Sequence, residues 1–151
     1  MHITIYTDGA CRGNPGPGGY GIVMKAGNHR KEIAQGFKLT TNNRMELLSV
    51  IVALEMLKND NSEVTIYSDS KYVVDSVEKK WVFGWEKKGF KDKKNVDLWK
   101  RFLKIYPKHK VKFIWVKGHA TNPENNLCDE LAVDAATGNN LLADEGYIAE
   151  H

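Results

Sequence analysis

The sequence predicts a mixed α/β fold, one sheet with helices packed against it. Three observations carry this. Residues 64–69 (VTIYSD) repeat residues 3–8 (ITIYTD), so two strands of nearly one sequence each end on a carboxylate. Two further strand-like runs follow the first through short breaks, the geometry of antiparallel neighbours. From residue 44 onward, helical spacing of apolar residues alternates with strand patterns.

Residues 2–8 form the first strand, and residues 9–19 are rich in turn formers. Gly16, Gly18 and Gly21 spell G-x-G-x-x-G after a strand, but a dinucleotide fingerprint must open a helix. Here Pro17 interrupts it and residues 20–26 (YGIVMKA) read as a second strand, so the glycines are expected to shape a hairpin. A third strand spans about 31–39. The apolar-rich run 44–57 (Met45, Leu48, Val52; Leu47, Ile51, Leu54) is a helix that crosses over to the strand at 64, which can then run parallel to the first. Helices are expected over 70–80 and 95–105, a last strand over 111–116, and a final helix over 123–136 with Pro123 in its first turn and Gly138 beyond its end. The tail, 139–151, is polar apart from Leu141 and Leu142 and gives no clear element.

The chain of 151 residues is the size of one domain with a sizeable core. Net charge is only +3, but seven lysines (79, 80, 87, 88, 91, 93, 94) face Glu86 and Asp92 across residues 79–94, so this stretch carries +5. Trp81, Phe83, Trp85 and Phe90 are interleaved with those lysines. A charge run is ordinarily a solvated surface. Aromatics among lysines are instead what a nucleic-acid strand uses for stacking and phosphate neutralisation. Cys11 and Cys128 make no CxxC, and no apolar run reaches 18 residues, so a reducing, cytoplasmic location without membrane span or export signal is expected.

Period-2 alternation puts Asp8 and Asp69 on one face. On adjacent strands they would lie about 4.8 Å apart and repel unless a cation or proton intervenes. Glu46 has a simple alternative reading, since Asn43 and Glu46 have capping-box spacing. Yet the helix must abut the sheet, so its first turn can face the strand ends. His119 follows Gly118 at the exit of the last strand, and Asp129 lies on the final helix beside Ala132, Val133 and Ala136, small residues that allow close approach to the sheet. Converging carboxylates without thiolates describe a site for Mg²⁺ or Mn²⁺, and Mg²⁺ usually completes its shell with phosphate oxygens.

With these residues laid out, the chain resembles type 1 ribonuclease H, the bacterial ribonuclease HI family. The stretches that carry the likeness are YTDGACRGNPGPGGYG, TTNNRMELLSVIVALE, YSDSKYV, WVFGWEKKG, NVDLW, WVKGHA and NPENNLCDELA, in one order along the chain. The resemblance implies a ribonuclease H-like fold, a five-stranded mixed sheet flanked by helices, formed by a single domain over 1–151 with a basic handle at about 79–94. It implies cleavage of the RNA strand of an RNA/DNA hybrid by a monomer, using two Mg²⁺ ions for which Mn²⁺ may substitute, with 5′-phosphate and 3′-hydroxyl products. Motif by motif, the metal-binding carboxylates fall on Asp8, Glu46, Asp69 and Asp129, and the catalytic histidine on His119. Cys11, Asn14 and Asn42 match contacts to the RNA strand around its 2′-hydroxyls, with Asn43 beside them. Thr41 and Asn95 match a DNA-phosphate pocket, and Trp81 and Trp85 match handle aromatics that pack against DNA.

The chain departs from the family in a short handle between Phe90 and Trp99, in Leu39 where some relatives place arginine, and in Lys71 after Asp69-Ser70. No separate N-terminal hybrid-binding domain is expected. A non-catalytic hybrid-binding module would lack one of the four carboxylates. A phosphatase with an aspartyl nucleophile would want Asp-x-Asp, where this chain has Asp8-Gly9-Ala10. An integrase-like enzyme would lack the handle and the asparagines.

Overall fold

The computed structural model describes residues 2–117 and 122–150. Three strands, β1 (His2–Cys11), β2 (Gly16–Ala26) and β3 (His29–Thr40), form an antiparallel meander. Helix α1 (Asn42–Glu55) then crosses to β4 (Glu63–Ser68), which pairs parallel with β1. The helices α2 (Lys71–Glu78), α3 (Trp81–Lys87) and α4 (Val96–Ile105) lead through a 3₁₀ turn, Tyr106–Lys108, to β5 (Lys110–Trp115), parallel to β4. Helix α5 (Pro123–Thr137), the short strand β6 (Leu141–Leu142) and α6 (Glu145–Glu150) complete the chain.

The sheet order is β5-β4-β1-β2-β3-β6. Five strands were expected, and the sixth is the Leu141-Leu142 pair of the tail, hydrogen-bonded in parallel to Gly36 and Phe37. A two-residue strand has too little sequence to announce itself, and its pairing partner lies a hundred residues away.

One face of the sheet carries the main core. Ile5, Ile22 and Ile66 meet Met45, Leu47, Ile51 and Leu54 of α1, with Val73, Val77, Trp99, Phe102 and Phe113 continuing the layer. The α1 residues recur at helical spacing because that face must be covered, and burial of each such side chain contributes about 1.5–3 kcal/mol. On the opposite face lies α5. Its Cys128, Ala132 and Ala136 are buried, as the small-residue pattern anticipated, while Val133 is exposed.

The glycines of β2 do more than shape a hairpin. They lie within the strand as the seat of α5: a Cβ on Gly21 would stand 2.3 Å from the carbonyl oxygen of Cys128, and one on Gly19 2.6 Å from that of Ala132. Only a strand surface without side chains lets this helix come so close. That contact fixes the height of α5, and with it Asp129, above the sheet.

Candidate active site

The β1–β4 register runs from His2 opposite Glu63 to Thr7 opposite Ser68, so Asp8 and Asp69 follow as the next pair: Asp69 just past the end of β4, and Asp8 inside β1, which does not end there as expected but runs on to Cys11 against β2. Tyr6 and Tyr67, one alternation earlier on the same face, stack at 5.0 Å. Glu46 arrives from the other face. A Cβ on Gly9 would lie 2.5 Å from the Glu46 backbone nitrogen, so glycine beside Asp8 is what lets the first turns of α1 press onto the strand. The helix is capped by Thr41, whose hydroxyl accepts from the Arg44 N–H at 3.3 Å. The capping-box reading of Asn43 and Glu46 is therefore replaced: Asn43 lies inside the helix, and the Glu46 carboxylate turns to Asp8 and Asp69.

Carboxylate oxygens of Asp8, Glu46 and Asp69 all lie within 4.8 Å of one another. Asp8 is 7% and Glu46 5% exposed. Among the described residues no cationic side chain enters the group, and its electrostatics record that. Burial, and secondly the Asp69 carboxylate, push the Asp8 carboxyl up to about 8. Burial and then Asp8 and Asp69 raise Glu46 well above the ordinary carboxylate range. Oε1 of Glu46 and Oδ1 of Asp69 are buried without a hydrogen-bond partner. Orphaned buried oxygens on close carboxylates are a donor set for a hard divalent cation, and these residues fit one.

Four converging carboxylates were expected, and three gather this tightly among the described residues. Asp129 instead stands on α5 in the wall of the same cleft of about 480 Å³, with Cys11, Asn42, Asn43 and Lys71. One turn before it, Asn125 has a buried amide oxygen without a partner beside a small gap bounded by Asp8, Asp69 and Asp129. Its i, i+4 spacing to Asp129 was the available signal, and the sequence reading passed over it. His119 lies outside the described residues.

The remaining candidate residues divide into two groups around the cleft. Near Asn42, the backbone N–H of that residue donates to Asn14 Oδ1 at 3.1 Å, and the Cys11 thiol sits 3.4 Å from the Thr40 carbonyl, so β1, its following loop and the start of α1 are tied together. Beyond them, Thr41 and Asn95 line a second cavity of about 310 Å³ with Asn14, Asn43, Lys94 and Tyr147. Asn95 takes a left-handed backbone with φ 61° and donates to the Tyr72 hydroxyl at 3.0 Å.

The aromatic and basic stretch folds into α3 and the turns after it, and its rings part company. Trp81 is 47% exposed, with Lys79 Nζ 5.3 Å from its ring. Trp85 packs edge-on against buried Trp99 at 5.9 Å and has Lys93 Nζ 4.9 Å from its ring centroid. Phe90 is buried and Phe83 packs on Tyr106. Three of the four aromatics thus pack as the hydrophobic root that holds the basic segment to the domain.

The RNase H family model matches residues 1–137. The chain is 57% identical over 147 residues to a ribonuclease H of Desulforamulus reducens, covering 94% of this chain and 92% of that one. It is 52% identical over 151 residues to a ribonuclease H of Aeromonas salmonicida, covering 97% of each. Among solved structures it is similar to LC9-RNase H1, a type 1 RNase H with the type 2 active-site motif, with TM-score 0.79 and 33% identity over 99% of this chain and 80% of that chain. It is also similar to LC11-RNase H1, solved in complex with an RNA/DNA hybrid, with TM-score 0.62 and 29% identity over 89% of this chain and 96% of that chain. Fold, carboxylate cluster and relatives agree, and the chain belongs to the ribonuclease H family.

Proposed function

We propose that this chain hydrolyses the RNA strand of RNA/DNA hybrids, leaving 5′-phosphate and 3′-hydroxyl ends, with two Mg²⁺ ions held by Asp8, Glu46 and Asp69 and flanked by Asp129. The observation that carries the reading is the buried triplet of carboxylates, two of whose oxygens lack any partner, at the floor of a cleft rimmed by Cys11, Asn42 and Asn43. The similar LC11-RNase H1, solved with an RNA/DNA hybrid, supports the substrate class. When bound, the ions supply Lewis acidity toward the attacking water and the leaving oxygen, and Mn²⁺ has the same hard-donor preference.

The chain's own residues do the rest. Asp8 and Glu46, protonated more readily than ordinary carboxylates, give up those protons when cations enter. Asn42 and Asn43, with Cys11 and Asn14, face one strand with donors and acceptors suited to 2′-hydroxyls, the group that separates RNA from DNA. Thr41 already accepts a backbone N–H, so its own hydroxyl proton is free to donate to a phosphate of the DNA strand in the cavity shared with Asn95. Exposed Trp81 extends that contact along the duplex. His119, by its imidazole chemistry, moves a proton during departure of the product. The protein acts as one domain and as a monomer. No described helix is long and apolar enough to cross a membrane.

The test is cleavage of an end-labelled RNA/DNA hybrid in Mg²⁺, with single-stranded RNA, duplex RNA and duplex DNA alongside. The expected result is cutting of the hybrid's RNA strand alone. A protein that binds the hybrid yet cuts nothing in Mg²⁺ or Mn²⁺ would be a binding module.

A further inference from the structure

The cleft poses an electrostatic problem to its substrate: Asp8, Glu46, Asp69 and Asp129 face a polyanion. Among the described residues that line it, Lys71 is the one cationic side chain. Its Nζ stands 4.7 Å from the ring centroid of Trp115. Among the described residues it enters no ion pair, although Lys25, Arg30, Arg44, Lys79 and Arg101 all do. Lysine at the first position of α2 also opposes the helix dipole, so its placement does not serve the helix.

Trp115 is held in turn. It is 42% exposed, large for an indole in a strand, and its N–H donates to the Asp69 carbonyl at 3.2 Å. The ring therefore rests against the backbone of a cluster carboxylate and offers its face to Lys71. An aromatic face holds the ammonium without neutralising its charge, so the lysine is positioned while its N–H groups turned away from the ring remain available. Sheet order locates the pair. Lys71 follows β4 and Trp115 is the last residue of β5, whereas Cys11, Asn42 and Asn43 lie toward β2 and β3, so the carboxylates stand between the two sets.

We propose that Lys71, seated on Trp115, binds a phosphodiester of the cleaved strand on the β5 side of the carboxylate cluster, across the cut from the residues that read 2′-hydroxyls. This rests on the hybrid-cleaving reading above. Lys71 is a positioning residue for that strand, and Trp115 acts through it.

The experiment measures wild-type, Lys71→Gln, Trp115→Leu and the double variant for hybrid binding in chelator across a salt series and for cleavage in Mg²⁺. Removal of Lys71 is expected to flatten the slope of log K against log salt by about 0.7–0.9, one phosphate contact. KM should rise roughly 5-fold, as for one solvent-screened charge contact, with kcat little changed. Trp115→Leu should weaken wild type but add little to Lys71→Gln. Hybrids with single neutral methylphosphonates then locate the contact: one RNA-strand position should weaken wild type and leave Lys71→Gln unaffected. An unchanged salt slope, or an affected position on the DNA strand, overturns the assignment. If wild type neither binds nor cuts the hybrid, the functional reading itself fails, an outcome distinct from a hybrid-cutting protein indifferent to Lys71→Gln.

Discussion

Arg44 and Glu46 stand two residues apart on α1, both buried, and head two charged groups of opposite character. Arg44 is fully enclosed and answered at every nitrogen: Nε and Nη2 donate to Asp144 at 2.7 and 2.9 Å, and Nη1 and Nη2 to Asp97 at 2.8 Å each. Thr40 adds a hydroxyl to the Asp144 carboxylate at 2.7 Å. Among the described residues the charged groups facing Glu46 are the carboxylates Asp8 and Asp69, and two oxygens of its group have no partner. A buried carboxylate that finds a guanidinium belongs to the scaffold and latches the tail, through Asp144, to the start of α1. A buried carboxylate left among its own kind is tolerated only where something arrives to balance it, and that distinguishes the site from the frame.

The sharpest way to break this contrast is Asp69→Asn. Hybrid cleavage should fall by about 10³-fold or more, since several kcal/mol of transition-state stabilisation depend on the ligand set. The same variant should melt at higher temperature than wild type in chelator, because one repelling charge has gone. A loss of activity accompanied by a loss of stability would mean that the cluster is part of the scaffold after all.

Arg44→Ala attacks the other group. It strands Asp144 in the interior, and breaking a buried pair from one side costs about 3–5 kcal/mol. Chemical denaturation should show that loss, while the activity of the molecules that remain folded at low temperature changes far less. The Asp97 partner is 44% exposed, so Asp97→Asn should cost much less than Asp144→Asn.

These two groups were unequally legible in the sequence. The strand echo ending on Asp8 and Asp69 needed only period-2 alternation and a crossover helix, both local signals, and the structure brings the pair together where the β1–β4 pairing ends, although β1 itself runs on to Cys11. The position of α5 was half legible: its small residues were visible, but Gly19 and Gly21 looked like turn formers because their partners, Ala132 and Cys128, lie more than a hundred residues away. The Arg44–Asp144 latch left no trace for the same reason, and β6 and α6, which it holds, could not be assigned. Phe83, Trp85 and Phe90 could not be told from exposed Trp81, because aromatics beside lysines look alike whether they face a ligand or root a helix; Phe90 is buried, and Phe83 and Trp85 are partly buried against the core. Local pattern carries secondary structure and strand ends, whereas contacts of high sequence separation must be seen folded.

Gly9→Ala makes a smaller cut, at the point where helix and cluster meet. The methyl would stand 2.5 Å from the Glu46 nitrogen and 2.7 Å from the Met45 carbonyl carbon, both backbone, so α1 must shift. A loss of about 2 kcal/mol is expected, the usual scale of overpacking. Glu46 moves with the helix while Arg44 is anchored to Asp144, so Mg²⁺-dependent activity should fall further than stability alone explains. Equal activity per folded molecule would show that the cluster tolerates a displaced Glu46.

Acidity separates the two groups with the smallest signal and with opposite signs. Asp8 is raised in the fold from 3.8 to about 8, by burial first and by Asp69 second, so the native state holds a proton that the unfolded chain has lost. Its contribution is therefore present in acid and disappears as pH climbs toward 8. Asp97 runs the other way: the Arg44 hydrogen bonds hold its carboxyl below the ordinary range, so its contribution is present above that range and disappears in acid. In chelator, the wild-type melting temperature should fall by a few degrees as pH rises from about 5 to about 8. Mg²⁺ should lessen that decline by binding the deprotonated cluster, and Asp8→Asn should lessen it without metal. A decline that survives both changes would have to arise elsewhere in the protein, and the cluster would lose its claim to be the uncompensated one.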